Sequence, residues 1–364
     1  MSDAVASKTA KPIDPGSLFD PVWYASAGDP LPSGRQALLQ HYQDQGWKDG
    51  LQPHPLFDGQ WYRARYEVPD GLDPLSHYLT EGVRKGCNPH PLFDGDWYLT
   101  HNPDVIFAGF EPLTHFVHDG EREGRSPHPL FDPAWYRQSN DEPELPLRHY
   151  LAGNGTHPHP LFDDDVYRRH VSDAVDDGTP ALLQYVLVGW RTSCRPNPLF
   201  SNEWYRETYA ALLRPDESPL VHYVRSGWAQ GCAPHPLLDP VWFEQSGHDC
   251  FGHAEIPLSR YLTVKEWDQR SPHRWFDSKW YRATNPDVAD HGSDPLLHYL
   301  AYGWREGRRP HPTFDTQGYL EAYADVAASG IDPLTHFVTR GAEEGRTPQA
   351  PFAAPDRSEP VPRL

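Results

Sequence analysis

One phrase returns along the whole chain and limits what the chain can fold into. "HPLFDGQWY" starts at His54, "HPLFDGDWY" at His90, "HPLFDPAWY" at His128 and "HPTFDTQGY" at His311. The residue after the aromatic falls at Asp20, Asp58, Asp94, Asp132, Asp163, Ser201, Asp239, Asp277 and Asp315, with spacings of 38, 36, 38, 31, 38, 38, 38 and 38. A second mark, usually His-Tyr, falls at His41, His77, His115, His149, Gln184, His222, Arg260, His298 and His336. Periods of this length signal repeat architectures, in which each unit buries its apolar face only against its neighbours.

Each copy reads as two short helices. In the eighth, Asp277 is suited to cap the first helix, with Phe276 and Tyr281 as a hydrophobic staple. Asp294 then caps the second, with Pro295 at its first position. Leu296, Tyr299, Leu300 and Trp304 fall on one helical face, and Gly303 or its neighbour ends the helix. The expected fold is all-α: a solenoid of nine helix-pair repeats of about 38 residues. These start near 17, 55, 91, 129, 160, 198, 236, 274 and 312, and fill residues 17–352. Residues 1–16 read as a flexible leader, 353–364 as a flexible tail, and Phe352 as a plug over the last helix pair.

Nine copies also test which residue types each position tolerates. The Asp of the phrase becomes Ser201 once, which fits an N-cap and fits neither a general base nor a calcium ligand. The ring four residues later is Tyr in eight copies and Phe243 in one, so it reads as core. The recurrent His of the second mark gives way to Gln184 and Arg260, which argues against metal and for an N–H donor bonded to a nearby carbonyl. The histidines of Pro-His-Pro give way to Asn197 and Gln349, so a polar turn residue suffices.

The tryptophans Trp23, Trp61, Trp97, Trp135, Trp204, Trp242 and Trp280 keep two readings, wedges between repeats or platforms for stacking on sugar. The Gly-Trp residues Trp47, Trp190, Trp228 and Trp304 share them. The irregular fourth and seventh copies, "LAGNGTHPHP" and "LTVKEWDQR", are where a specific surface is expected.

The composition narrows the partners. Fifty-one acidic against 32 basic residues give a net charge of −19, which repels nucleic acid and anionic membranes. No apolar run reaches the roughly 20 residues of a membrane helix, and no signal-peptide core is visible, so the expected location is cytoplasmic. Cys87, Cys194, Cys232 and Cys250 form no zinc spacing, and Cys194 and Cys232 lie too far apart in the repeat to bridge. No phosphate loop or nucleophile elbow is present, so no cofactor, metal or catalytic residue is expected.

The eighth copy, "WFDSKWYRATNPDVADHGSDPLLHYLAYGWREGRRPHP", resembles a repeat of bacterial cell-surface polysaccharide biosynthesis proteins, and the third and ninth are similar. There such repeats sit beside glycosyltransferase or rhamnan-synthesis-type domains, and related phrases occur in large calcium-binding surface proteins. The resemblance covers nearly the whole chain, but those catalytic domains and calcium-binding nonapeptides are missing from it. It implies a non-enzymatic scaffold with a protein partner in polysaccharide assembly. A carbohydrate-binding module is the second reading, and an enzyme with an unrecognised site is the third.

Overall fold

The computed structural model describes residues 15–27, 31–171, 178–246, 255–265 and 267–349. The expected leader lies outside them except for Pro15 and Gly16, which open a short 3-10 helix, Pro15–Leu18. The tail, Phe352 and Cys250 also lie outside. The described chain is all-α, and the only bridges outside helices are local ones such as His54 to Phe57 and His90 to Phe93 within the phrase. Contacts divide the chain into two compact units, Met1–Pro196 and Asn197–Leu364.

Capping follows the sequence. Asp58, Asp94, Asp277 and Asp315 each accept a hydrogen bond from the backbone N–H three residues on, and Ser201 does the same for Trp204. These contacts begin helices Gly59–Arg65, Gly95–His101, Ser278–Thr284, Thr316–Ala322 and Asn202–Thr208. Asp294 caps helix Pro295–His298 through the N–H groups of Leu296 and Leu297.

Two local features differ from the expectation. In the third, eighth and ninth copies an extra helix follows the first: Pro103–Ala108, Pro286–Asp290 and Ala324–Ser329. Two of these open on an Asn-Pro step, where proline is well placed at the first helical position. The second helix is also not one α-helix in most copies. In the second, third, sixth, eighth and ninth it is four α-helical residues that widen into a π-helical turn, as in Pro74–His77 followed by Tyr78–Gly82, or Pro295–His298 followed by Tyr299–Gly303. The fourth, fifth and seventh copies keep the α-helices Pro146–Leu151, Ala181–Leu187 and Pro257–Val264 without it. The N–H of Trp304 therefore reaches the carbonyl of Tyr299, five residues back. That widening breaks the single apolar stripe: Leu296 and Tyr299 are buried, whereas Leu300 and Trp304 are only half-buried.

In every copy that widens, a staple tyrosine sits at the turn together with a histidine and a glycine five residues after it. Tyr62 of the staple lies 5.6 Å from Phe57 and 6.0 Å from Tyr78, forming a buried three-ring core. Rings in tilted and edge-on pairs of this kind add about 0.5–1.5 kcal/mol beyond their burial. The Tyr62 hydroxyl passes through that core to His77 Nδ1, at 2.9 Å, and rests against Gly82. A Cβ on Gly82 would overlap that oxygen. The same hydroxyl–imidazole contact, at 2.7–3.1 Å, joins Tyr24 to His41, Tyr98 to His115, Tyr136 to His149, Tyr205 to His222, Tyr281 to His298 and Tyr319 to His336. The expected bond from this histidine to a carbonyl of the preceding turn is thereby corrected. Its Nδ1 faces the staple tyrosine, because that is the polar atom buried beside it.

The seventh copy bears this out by losing all three parts together. Its staple ring is Phe243, its histidine is Arg260, and Lys265 stands where every other copy but the fourth places glycine. With no hydroxyl to seat, neither imidazole nor glycine is required. We predict that Gly82→Ala destabilises the protein by about 2 kcal/mol through overpacking against Tyr62. The fall should be read as a lower urea midpoint with an unchanged slope.

Candidate functional site

The residues of the phrase that resemble a site are held by the fold. His54, His90 and His128 are buried, and each Nδ1 accepts a hydrogen bond from the backbone N–H two residues on, at 3.0–3.1 Å. Asn197 does the same through Oδ1 to Leu199, at 2.9 Å. This is why asparagine replaces histidine there. Just beyond it, the N–H of the capping Asp donates to the proline carbonyl before the next copy's histidine: Asp58 to Pro89, Asp94 to Pro127, Asp277 to Pro310. Consecutive copies are thus tied backbone to backbone.

The second-mark ring makes another tie. Tyr78 donates to Glu111 at 2.5 Å, and Tyr261 to Asp294 at 2.8 Å, each carboxylate being the cap of the next copy's second helix. Burial pushes Asp294 up to about 6 and outweighs the hydrogen bonds it accepts. Where the fifth copy has Pro180 at the cap, Tyr150 Oη itself accepts from Leu182 N, at 2.7 Å. In the fourth copy Leu145 stands at the cap, and Glu121 of the third reaches across to accept from Arg148 N and Nε, at 3.0 and 2.8 Å.

A third arrangement was legible only by pairing motifs. Arg125 binds Asn102, Asp104 and Glu123, and Arg308 binds Asn285, Asp287 and Glu306. Arg346 binds Asp325 and Glu344. The second, fifth and sixth copies, which lack Asn-Pro-Asp, carry Cys87, Cys194 and Cys232 in the arginine's place, all buried and in no disulfide. In the third and eighth copies the joint presence of Asn-Pro-Asp and the arginine could have disclosed the clamp.

The seven tryptophans do not share one environment. Trp23 and Trp242 are exposed, at 42% and 39%, whereas Trp61, Trp97, Trp135, Trp204 and Trp280 are half-buried. Trp97 stacks on His101 at 3.7 Å, and its Nε1 donates to Ser126. Trp61 meets Tyr66 edge-on, and Trp204 meets Tyr209. Of the Gly-Trp group, Trp47 carries Arg63 of the next copy at 4.5 Å, while Trp190 and Trp304 carry Arg191 and Arg305.

Among the described residues one trio could bring three metal-ligating atoms together: His157, Asp163 and Asp165. His157 Nε2 lies 3.9 Å from Asp163 and 4.0 Å from Asp165. His157 stands where the eighth copy has Arg309, which pairs with the equivalent cap Asp315 at 3.0 Å. The trio therefore reads as a basic residue beside a cap carboxylate.

No family model, curated protein or solved structure matches the chain. Among the described residues no helix is long and apolar enough to cross a membrane.

Burial holds His54, His90 and His128 down to about 3, and His159 and His273 to about 4, against an ordinary value of 6.5. A folded value below the unfolded one contributes stability that is full above pH 6.5 and lost as pH falls toward 3–4. Asp294, raised instead, has the opposite sign: it favours the fold below about pH 4, and that contribution is lost as pH rises through 6. The histidines outnumber it. We predict that the urea midpoint falls steeply as pH drops from 6.5 to 4. His128→Asn, which keeps the acceptor as Asn197 does, should reduce the protons taken up on unfolding by about one.

Proposed function

We propose that the chain is an α-solenoid scaffold, non-enzymatic, that holds a protein partner in bacterial surface-polysaccharide assembly. One observation carries this reading: the repeated side chains with chemical capability are engaged in holding each copy in its fold. The cap carboxylates bind N–H groups, the imidazoles bind tyrosines or turn amides, and Arg125 and Arg308 are bound by carboxylates. What differs between copies is the exposed apolar surface. In the third copy Ile106, Phe107 and Phe110 stand 54%, 88% and 59% exposed on and after helix Pro103–Ala108. The eighth copy has Ala289, Asp290 and Ser293 where the third has Ile106, Phe107 and Phe110, so this patch belongs to one repeat and not to the period. Apolar patches of this kind mark interaction sites. The resemblance to repeats that accompany glycosyltransferases supplies the expected kind of partner.

The partner reading is tested with purified glycosyltransferases of surface-polysaccharide assembly, titrated against the chain by biolayer interferometry. A complex weakened at least roughly tenfold by Phe107→Asp, equivalent to about 1.4 kcal/mol, supports it. Turnover of a nucleotide sugar by the chain alone contradicts the non-enzymatic part. The solenoid part predicts that excising residues 277–314, which joins Phe276 to Asp315 in register, leaves a folded chain with unchanged helicity per residue. A collapse of the circular dichroism signal would count against it.

A further inference from the structure

Within the second unit the sixth and ninth copies approach each other and leave a cleft of about 360 Å³ between them. One wall is helix Asn202–Thr208, which contributes Trp204, Glu207 and Thr208. The other is helix Pro333–His336 with its π-helical turn, which contributes Thr335, His336, Thr339 and Arg340, and Ile331 lies at its entry.

The composition of these walls is what distinguishes the place. Trp204 is fixed at its backbone by Ser201, and its indole is braced edge-on by Tyr209 at 6.1 Å. Ile331, 42% exposed, extends the apolar surface. Around it stand a carboxylate, a guanidinium and three threonines. Glu207 and Arg340 have no ion-pair partner among the described residues, so both keep their hydrogen-bonding capacity. His336 is only 8% exposed, and its Nδ1 is engaged by Tyr319 at 3.1 Å. Nε2 is the ring's remaining polar atom at the cleft.

An apolar platform rimmed by paired donors and acceptors matches one ligand chemistry closely. A pyranose ring has a face of C–H bonds that lies on an indole and an edge of hydroxyls that donate and accept together. The volume lies within the range of small-ligand pockets, about 300–1,000 Å³. One carboxylate and one guanidinium leave the rim without a strong charge of either sign, which fits an uncharged sugar. We propose that this cleft binds a neutral pyranoside, with its ring on Trp204 and its hydroxyls between Glu207, Arg340 and the threonines. Trp204 alone of the seven phrase tryptophans then acts in recognition. Its equivalent Trp97 has its ring occupied by His101 and its N–H by Ser126.

This site requires no protein partner, so it stands or falls separately from the scaffold reading. The test is saturation-transfer NMR on the full chain with methyl pyranosides of glucose, galactose and mannose and their linear trisaccharides. Transfer to at least one is expected. Trp204→Ala should weaken that binding roughly tenfold or more, and Trp204→Phe, which keeps a smaller ring, by less. Trp97→Ala should leave it unchanged. Absence of transfer from every sugar in the set, or transfer indifferent to Trp204→Ala, overturns the proposal. So would loss of transfer in Trp97→Ala with Trp204→Ala intact.

Discussion

A tyrosine hydroxyl seated between an imidazole and a glycine joins the two halves of seven of the nine repeats. In the second copy Tyr62, His77 and Gly82 meet across the two halves of the unit. Burying a phenol without a partner is costly, so the hydroxyl must find one inside the core. The imidazole supplies it. The glycine supplies the space, and the α-helix opens into a π-helical turn around the incoming oxygen. The staple below and the turn above are both fixed by that single atom.

Three kinds of contact then carry order from one copy to the next. The backbone bond from each capping Asp to the next proline carbonyl fixes spacing. The bond from the second-mark tyrosine to the next cap carboxylate fixes the second helices, as between Tyr78 and Glu111. Stacked pairs such as Trp47 with Arg63 cover the seam. The irregular fourth copy meets the same requirements by other routes. Glu121 replaces the missing cap, and Gly155 replaces the glycine one position late, still against Tyr136 Oη. Residues with catalytic potential elsewhere are here committed to holding the chain together. In the function proposed above, recognition falls to surfaces where the copies diverge, the exposed phenylalanines of the third copy and the cleft at Trp204.

Much of this was legible in the sequence because capping and stapling depend on neighbours in the chain. Asp94, Ser201 and Asp277 read as N-caps and behave so, and His90 reads as a turn residue and behaves so. The second-mark histidine was misread because its partner lies 13–17 residues away, beyond the reach of helical periodicity. Comparison of copies held the missing information, since Phe243, Arg260 and Lys265 depart together in the seventh. Reading the ring only as core, on the strength of Phe243, overlooked its two companions. The π-helical turn was illegible for a related reason: periodicity assumes an α-helix, and the widening occurs where a side chain from another helix meets the turn. The Trp204 cleft could not be read at all, because it joins copies 131 residues apart, as from Trp204 to Thr335.

The dependence of the repeat on its tyrosine oxygen is tested most directly by a double-mutant cycle on Tyr281 and Gly303, read as unfolding free energies in urea. Gly303→Ala alone forces a methyl group onto the hydroxyl, and Tyr281→Phe alone leaves His298 Nδ1 without its partner. In the double variant the oxygen that the methyl group would strike is gone. The loss should therefore fall short of the sum of the single losses by about 1 kcal/mol or more, a coupling typical of residues in contact. Additive losses would contradict the account, because they would show that glycine serves the turn for a reason unrelated to the hydroxyl.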